Sequence, residues 1–165
     1  MNIETERLII KPLTLDDARC FSEYRDKEEV AMYQSWDEYP LNKAINRIEY
    51  CQKHPFHGQI GNYQFGLYLK ENNRLIGDIF IEIDGHTTFT LGYTLDSVYW
   101  SKGYASEALK SVFKAMHETY SFKICLCHVY EDNIKSIRLL ERNGFDKIHK
   151  SWFYQDVLYR KMLNK

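Results

Sequence analysis

Read from its N-terminal end, the chain first shows "RLIIKPL", residues 7–13, an apolar run that predicts a strand stopped by Pro12. In "TLDDARCFSEYRD" the apolar positions fall at helical spacing, with Thr14 as N-cap and Asp17 three residues on, as in a capping box. A second helix is predicted from about 41 to 52, where Leu41, Ala44, Ile45 and Ile48 lie on one stripe. The stretch between them, "EVAMYQSWDEYP", keeps neither period and reads as an irregular, aromatic connector. Pro and two glycines in "HPFHGQIG" close the helical region.

Three strand-like segments follow, "NYQFGLYL", "RLIGDIFIEI" and "FTLGYTLD". Between them "KENN" and "DGHT" are good hairpin turns, so an antiparallel meander is predicted. The period then turns helical, with Ala105, Ala108, Leu109, Val112, Phe113 and Met116 on one stripe. "FKICLCHVY" is apolar on both faces, as a central strand requires. "NIKSIRLLERNG" predicts a helix capped by Asn133 and stopped at Gly144, and "FDKIHKSWFYQDVLYRKML" supplies two closing strands. The order β–α–α–β–β–β–α–β–α–β–β predicts one α+β domain over residues 1–165, with a mixed, mostly antiparallel sheet flanked by helices. Linkers, repeats and low-complexity tracts are absent from the sequence.

Apolar residues make up 44% and charged residues 27%, ordinary values for a soluble globular chain. The net charge of −1 gives no electrostatic case for nucleic acid or an anionic membrane. Any phosphate binding must then be local, through main-chain amides and a few side chains. Thirteen tyrosines and three tryptophans suit a sheet-rich domain with an aromatic-lined cleft. The start "MNIETERLII" shows no signal pattern, and no apolar run approaches spanning length. The four cysteines, Cys20, Cys51, Cys125 and Cys127, lack disulfide or zinc spacing. Cys125 and Cys127 share one strand face and read as buried thiols rather than metal ligands, so no metal is expected. A cytoplasmic protein is the expectation.

The junction "YWSKGYASEAL", residues 99–109, sets a lone glycine where a strand gives way to a helix. Unpaired N–H groups and the helix dipole make such a start attractive to an anion. A tight turn explains the same glycine without any ligand.

The order of elements, with two motifs in place, resembles the GCN5-related N-acetyltransferase (GNAT) family over essentially the whole chain. That family carries Gln/Arg-x-x-Gly-x-Gly/Ala at a strand-to-helix turn. Here the stretch is "WSKGYA", in which Gly103 and Ala105 match and Trp100 replaces the usual polar residue. In "NIKSIRLLERNGF", Asn133, Ser136 and Gly144–Phe145 stand where the family has Asn-x-x-Ser/Ala and Gly-Phe. The opening "TERLIIKPLTLDDA" is similar to the subgroup that acetylates ribosomal-protein N-termini and related amines.

The resemblance implies acetyl-CoA as co-substrate and a primary amine as acceptor. It places the coenzyme A pyrophosphate on the N–H groups of Ser101, Lys102, Gly103, Tyr104, Ala105 and Ser106, with Asn133 and Ser136 beside the cofactor. Lys102 adds a charge contact or is merely solvated, and Trp100 stacks near the cofactor or anchors the loop. The strand "TLGYTLD" is implied to part from the next and to hold the pantetheine arm. A backbone N–H near Tyr93 to Leu95 then faces the thioester oxygen. Dimers are frequent in the family, although the residues themselves give no oligomeric state.

Acetyl transfer needs a neutral amine, a polarised carbonyl and a stabilised thiolate. Where acidic relatives carry a glutamate, this sequence has Thr90 and His128. His128 is a candidate base with a suitable ordinary pKa, or a strand histidine satisfied by a neighbour. Glu82 and Asp78 share a strand face and stand in reserve. Many relatives carry a tyrosine acid five residues before the phenylalanine of Gly-Phe; here the position is Leu140, which has no proton to give. Ser136 is the nearest substitute, or a packing residue. Trp36 and Tyr39, beside Asp37 and Glu38, form a cation-binding rim or belong to the core. Two functions follow: an N-acetyltransferase, or a catalytically silent coenzyme A-binding regulatory module.

Overall fold

In a computed structural model that describes residues 1–150 and 156–163, the strands form one sheet. They are β1 (Ile3–Glu4), β2 (Leu8–Pro12), β3 (Gly61–Leu69), β4 (Leu75–Ile83), β5 (Thr88–Leu95), β6 (Ile124–Tyr130), β7 (Asp146–Lys150) and β8 (Asp156–Met162). Their spatial order is β1-β2-β3-β4-β5-β6-β8-β7. Every pairing is antiparallel except that of β5 with β6. The helices are α1 (Ala18–Arg25), α2 (Glu28–Ala31), α3 (Leu41–Lys53), α4 (Tyr104–Glu118) and α5 (Ile134–Arg142).

The mixed α+β expectation is met, and the meander, α4, β6 and α5 lie where the periodicity put them. Two short elements differ from it. The expected irregular connector contains α2, whose single turn is too short to display a period. Ahead of the first predicted strand, the two residues of β1 fold back so that Ile3 faces Ile10. The first helix begins with a 3-10 turn, Leu15–Asp17, where Asp17 accepts from the Thr14 main-chain N–H at 2.8 Å and hydroxyl at 2.9 Å. Part of the closing segment, 151–155, lies outside the described residues.

Strand alternation divides the core in two. Phe89, Leu91 and Leu95 of β5 and Cys125, Cys127 and Val129 of β6 are buried on the face that α4 covers with Leu109, Val112 and Met116. The two thiols therefore serve as core hydrophobes, and burial pushes that of Cys125 up. On the other face a second cluster joins Phe21 and Tyr24 of α1 to Ala44 and Ile48 of α3.

One irregularity of the sheet creates space. The parallel ladder of β5 and β6 pairs Thr88 with Ile124, Phe89 with Cys125 and Thr90 with Leu126, and then stops. Beyond Thr90 and Leu126 the strands separate, with Tyr93 on the α4 side and, by alternation, Gly92 and His128 on the other.

Candidate active site

Where β5 and β6 separate, a cavity of about 760 Å³ runs between residues 91–95, the loop and first turn of α4, and α5. Its walls are built from Tyr93, Trp100, Gly103, His128, Ser136 and Leu140, with further residues from the α2 region.

The loop between β5 and α4 is held by several contacts. Asp96 caps a 3-10 turn, Ser97–Tyr99, and pairs with Lys27 at 2.5 Å. The Trp100 indole N–H donates to the Leu95 carbonyl at 2.9 Å, which anchors the loop to the end of β5. The same ring lines the cavity, with the Lys135 ammonium 4.7 Å from its centre. Of the two roles left open by the sequence, the structure shows the anchor. Ser101 and Gly103 are left-handed, with φ of 61° and 83°. For glycine this conformation carries no steric penalty, and it turns the chain so that Gly103 caps α4. The earliest bond of the helix runs from the Glu107 N–H to the Gly103 carbonyl at 3.1 Å. The N–H groups of Tyr104, Ala105 and Ser106 therefore have no partner one turn back.

Arg7 braces this loop from behind. Its Nε donates to Glu107 at 2.7 Å, its Nη1 to the Lys102 carbonyl at 3.0 Å, and its guanidinium sits 4.5 Å from the Tyr104 ring centre. Thr5 donates to the same carboxylate at 2.6 Å. Burial by itself would raise the Glu107 pKa, but the bonds from Thr5 and Arg7 hold it below its ordinary value. The carboxylate at the helix start is thus turned away from the cavity. Lys102 does not line the cavity either, and its ammonium lies 5.3 Å from the Tyr99 ring.

On the opposite wall, Asn133 caps α5 by accepting from the Ser136 N–H at 3.1 Å. This cap sets the first turn of α5 so that the Ser136 hydroxyl meets the Tyr93 hydroxyl, 2.5 Å away. Burial pushes the Tyr93 phenol well above its ordinary pKa, so it remains protonated. Leu140, on the same helix, is buried and adds only an apolar surface. Ser106 donates to Asn143 at 3.1 Å and so ties α4 to the end of α5.

His128 lines the cavity from β6, and its Nδ1 lies 3.0 Å from the Asp156 carboxylate on β8. That bond orients the ring and leaves Nε2 without a partner among the described residues. The neighbour is therefore present, as one reading of this histidine required, and it takes only one of the two ring nitrogens.

Besides Lys102, four residues named from sequence are not brought to this cavity. Tyr39 is buried in the second core cluster. Trp36 donates its indole N–H to the Arg25 carbonyl at 3.0 Å. The Arg25 guanidinium lies 3.8 Å from the Trp36 ring centre and 4.4 Å from that of Tyr39, so both aromatic faces already hold a cation of this chain. Asp78 is buried, with both carboxylate oxygens 2.7 Å from Arg25 Nη1 and with Tyr24 and Gln64 as further donors. Glu82 is an exposed residue of β4 that does not line the cavity. Neither carboxylate is available there as a base.

Several wall residues escaped the sequence reading. Glu29, Met32, Tyr33 and Gln34 reach the cavity because α2 folds the expected connector against the β5–α4 loop. Lys135, Arg138 and Arg142 line it from α5, a basic stripe whose helical spacing was readable in "NIKSIRLLER". No group of three or more side chains suited to a metal occurs among the described residues.

Residues 7–146 match the family described as the acetyltransferase (GNAT) domain. A Bacillus subtilis strain 168 protein named "Probable N-acetyltransferase YjcK" is 32% identical over 155 residues, which cover 88% of this chain and 83% of that protein. A GNAT-family acetyltransferase structure from Bacillus anthracis superposes with a TM-score of 0.84 at 22% identity, covering 98% of both chains. The ribosomal L7/L12 α-N-protein acetyltransferase RimL, solved in complex with coenzyme A, superposes with a TM-score of 0.81 at 13% identity, covering 99% of this chain and 98% of that one.

Proposed function

This chain belongs to the GNAT acetyltransferase family and is an acetyl-CoA-dependent N-acetyltransferase, and from that premise we propose that it acetylates a primary amine by direct attack on the thioester at the parting of β5 and β6. The observation that carries this reading is the ladder break after Thr90 and Leu126, set beside the left-handed loop at Gly103. In this reading the unpartnered N–H groups at the start of α4 bind the pyrophosphate, supported by Lys135, Arg138 and Arg142 on the facing wall. The residues present suit that group: N–H donors, a glycine cap without Cβ, and cations along one side.

Bound acetyl-CoA supplies an electrophilic thioester carbonyl. The chain does the rest. By alternation the main-chain N–H groups of Tyr93 and Leu95 point away from β4, beyond the end of the β5–β6 ladder, where they can polarise that carbonyl. His128 Nε2, with Nδ1 held by Asp156, takes the proton released as the amine bonds to carbon. Ser136 offers its hydroxyl to the leaving sulfur where Leu140 has none to offer. Glu29 and Asp132 add negative charge to the cavity lining, which suits an amine that arrives protonated and gives up one proton to solvent before it attacks. Ser97 donates to Glu29 at 2.7 Å and holds its carboxyl below its ordinary value, which keeps this charge in place.

A protein N-terminus, a polyamine-like small amine and an aminoglycoside-type amine all meet these requirements. Two measurements test the proposal together: titration calorimetry with acetyl-CoA, and thiol release across a panel of those three amine classes. Binding together with amine-dependent thiol release is expected. Tight binding with no amine raising release above background would favour the silent binding module, and absence of binding would remove the site altogether.

A further inference from the structure

The hydroxyls of Tyr93 and Ser136 meet at 2.5 Å across the opening between β5 and α5, inside the cavity. Each belongs to a different wall. Ser136 is fixed by the Asn133 cap, and Tyr93 by its strand and by burial. The family resemblance assigns the phenol no role, and the tyrosine it implies as acid is replaced by Leu140.

We propose that Tyr93 is a positioning residue whose phenol donates to Ser136 Oγ and thereby frees the serine O–H to point at the leaving sulfur. The inference rests on the acetyl-CoA reading above and adds a residue to it. A serine hydroxyl has one proton and two lone pairs. If the phenol takes one lone pair, the single proton has the cavity as its remaining direction. Burial raises the pKa of the phenol, so across the neutral range it keeps the proton that the proposed bond donates.

The balance of the step follows. The C–N bond forms and the C–S bond breaks. The electron pair of C–S stays on sulfur, and the amine proton leaves on His128. A coenzyme A thiol, with an ordinary pKa near 8.5 like that of cysteine, is a far stronger acid than either hydroxyl. Both hydroxyl protons therefore stay on oxygen. The pair stabilises the thiolate by hydrogen bonding, and water protonates it after release. The ionisable groups that share the cavity with the pair are Glu29 and Tyr33 in and after α2, Tyr99 and Tyr104 at the loop before α4, Cys127 and His128 on β6, Asp132 in the following turn, and Lys135, Arg138 and Arg142 on α5.

The test needs no knowledge of the acceptor. The ultraviolet absorbance of the thiolate is titrated for coenzyme A bound to wild type, Tyr93→Phe, Ser136→Ala and the double variant, and the affinity of desulfo-coenzyme A is measured for each. In wild type the bound thiol is expected to ionise about tenfold more readily than free thiol, as a hydrogen bond to a charged group provides. Tyr93→Phe should lose most of that preference, Ser136→Ala all of it, and the double variant no more than Ser136→Ala. Affinity for desulfo-coenzyme A should stay constant in Tyr93→Phe. An unchanged thiol titration in Tyr93→Phe, or losses that simply add, would overturn the proposal. A parallel loss of desulfo-coenzyme A affinity would assign Tyr93 a packing role and overturn it equally. If wild type binds neither ligand, the acetyl-CoA reading itself fails.

Discussion

Glu107, in the first turn of α4, and Arg7, just ahead of β2, are joined across 100 residues of chain by bonds of 2.7 Å to Nε and 2.8 Å to the main-chain N–H. The pairing reverses what a carboxylate at a helix start does by default, which is to compete with an incoming anion for the dipole. Drawn back by Arg7 and Thr5, it braces the loop and leaves the front of the helix to its N–H groups. Arg7→Ala is expected to weaken acetyl-CoA binding several-fold by releasing both Glu107 and the Lys102 carbonyl, while the chain still folds. Calorimetry on the variant measures this, and unchanged affinity would show that the brace is dispensable.

The same carboxylate gives a pH dependence with a defined sign. Its folded pKa lies below the ordinary 4.5, so its contribution to stability is complete above that value and is lost as pH falls through the folded one. Wild type should exceed Glu107→Gln in urea midpoint at neutral pH, and the gap should close below pH 4.5. The effect is small because the Arg7 side chain is 42% exposed and its charge is screened by solvent. A gap that widens with acid would contradict the assignment.

Gly103 separates backbone cost from charge. With φ at 83° and a Cβ that would meet Arg7 Nη2 at 3.3 Å, any side chain is strained there by about 1 kcal/mol or more. Gly103→Ala should therefore lose stability and bind acetyl-CoA a few-fold less tightly. Gly103→Glu adds a negative charge before the N–H groups and should raise the dissociation constant on the order of a hundredfold. Equal affinities for the two variants would remove Gly103 from the phosphate site.

Much of this site was legible in the sequence because it is local. Gly103 as the cap of α4, and Asn133 and Ser136 as the cap and first turn of α5, are set by near neighbours in the chain, so a short motif carries them. Contacts between distant segments were not legible. Asp156 reaches His128 only through the pairing of β6 with β8, and Arg7 reaches Glu107 only because β2 runs beside α4. For Trp36 and Tyr39 the sequence left a cation-binding rim and a core role open, and the structure gives the core role. A cation–aromatic pattern has the same spacing whether the cation is a substrate or, as here, Arg25 of the same chain.

That internal pair makes a stability prediction that leaves the cavity out. Asp78 and Arg25 are buried together, and removing one partner strands the other charge. Asp78→Ala should cost about 3 kcal/mol or more in urea denaturation. Arg25→Met combined with Asp78→Leu keeps the apolar packing on Trp36 and should cost less than Asp78→Ala alone. Acetyl-CoA affinity of the folded double variant should match wild type, since neither residue lines the cavity.

His128 and Asp156 test the base assignment as a pair. If Nε2 takes the amine proton, His128→Ala should lower kcat by about a hundredfold or more and leave the acetyl-CoA dissociation constant nearly unchanged. Asp156→Asn keeps the shape but replaces an acceptor-only group with one that also presents N–H donors to Nδ1, so the imidazole is free to take the wrong tautomer. It should lower kcat by a smaller factor. In the double variant, Asp156 has nothing left to orient, so its loss should add little to that of His128→Ala. A full additive effect would mean that Asp156 acts elsewhere. Wild-type kcat in His128→Ala would move the proton to a water held by the main chain of β5.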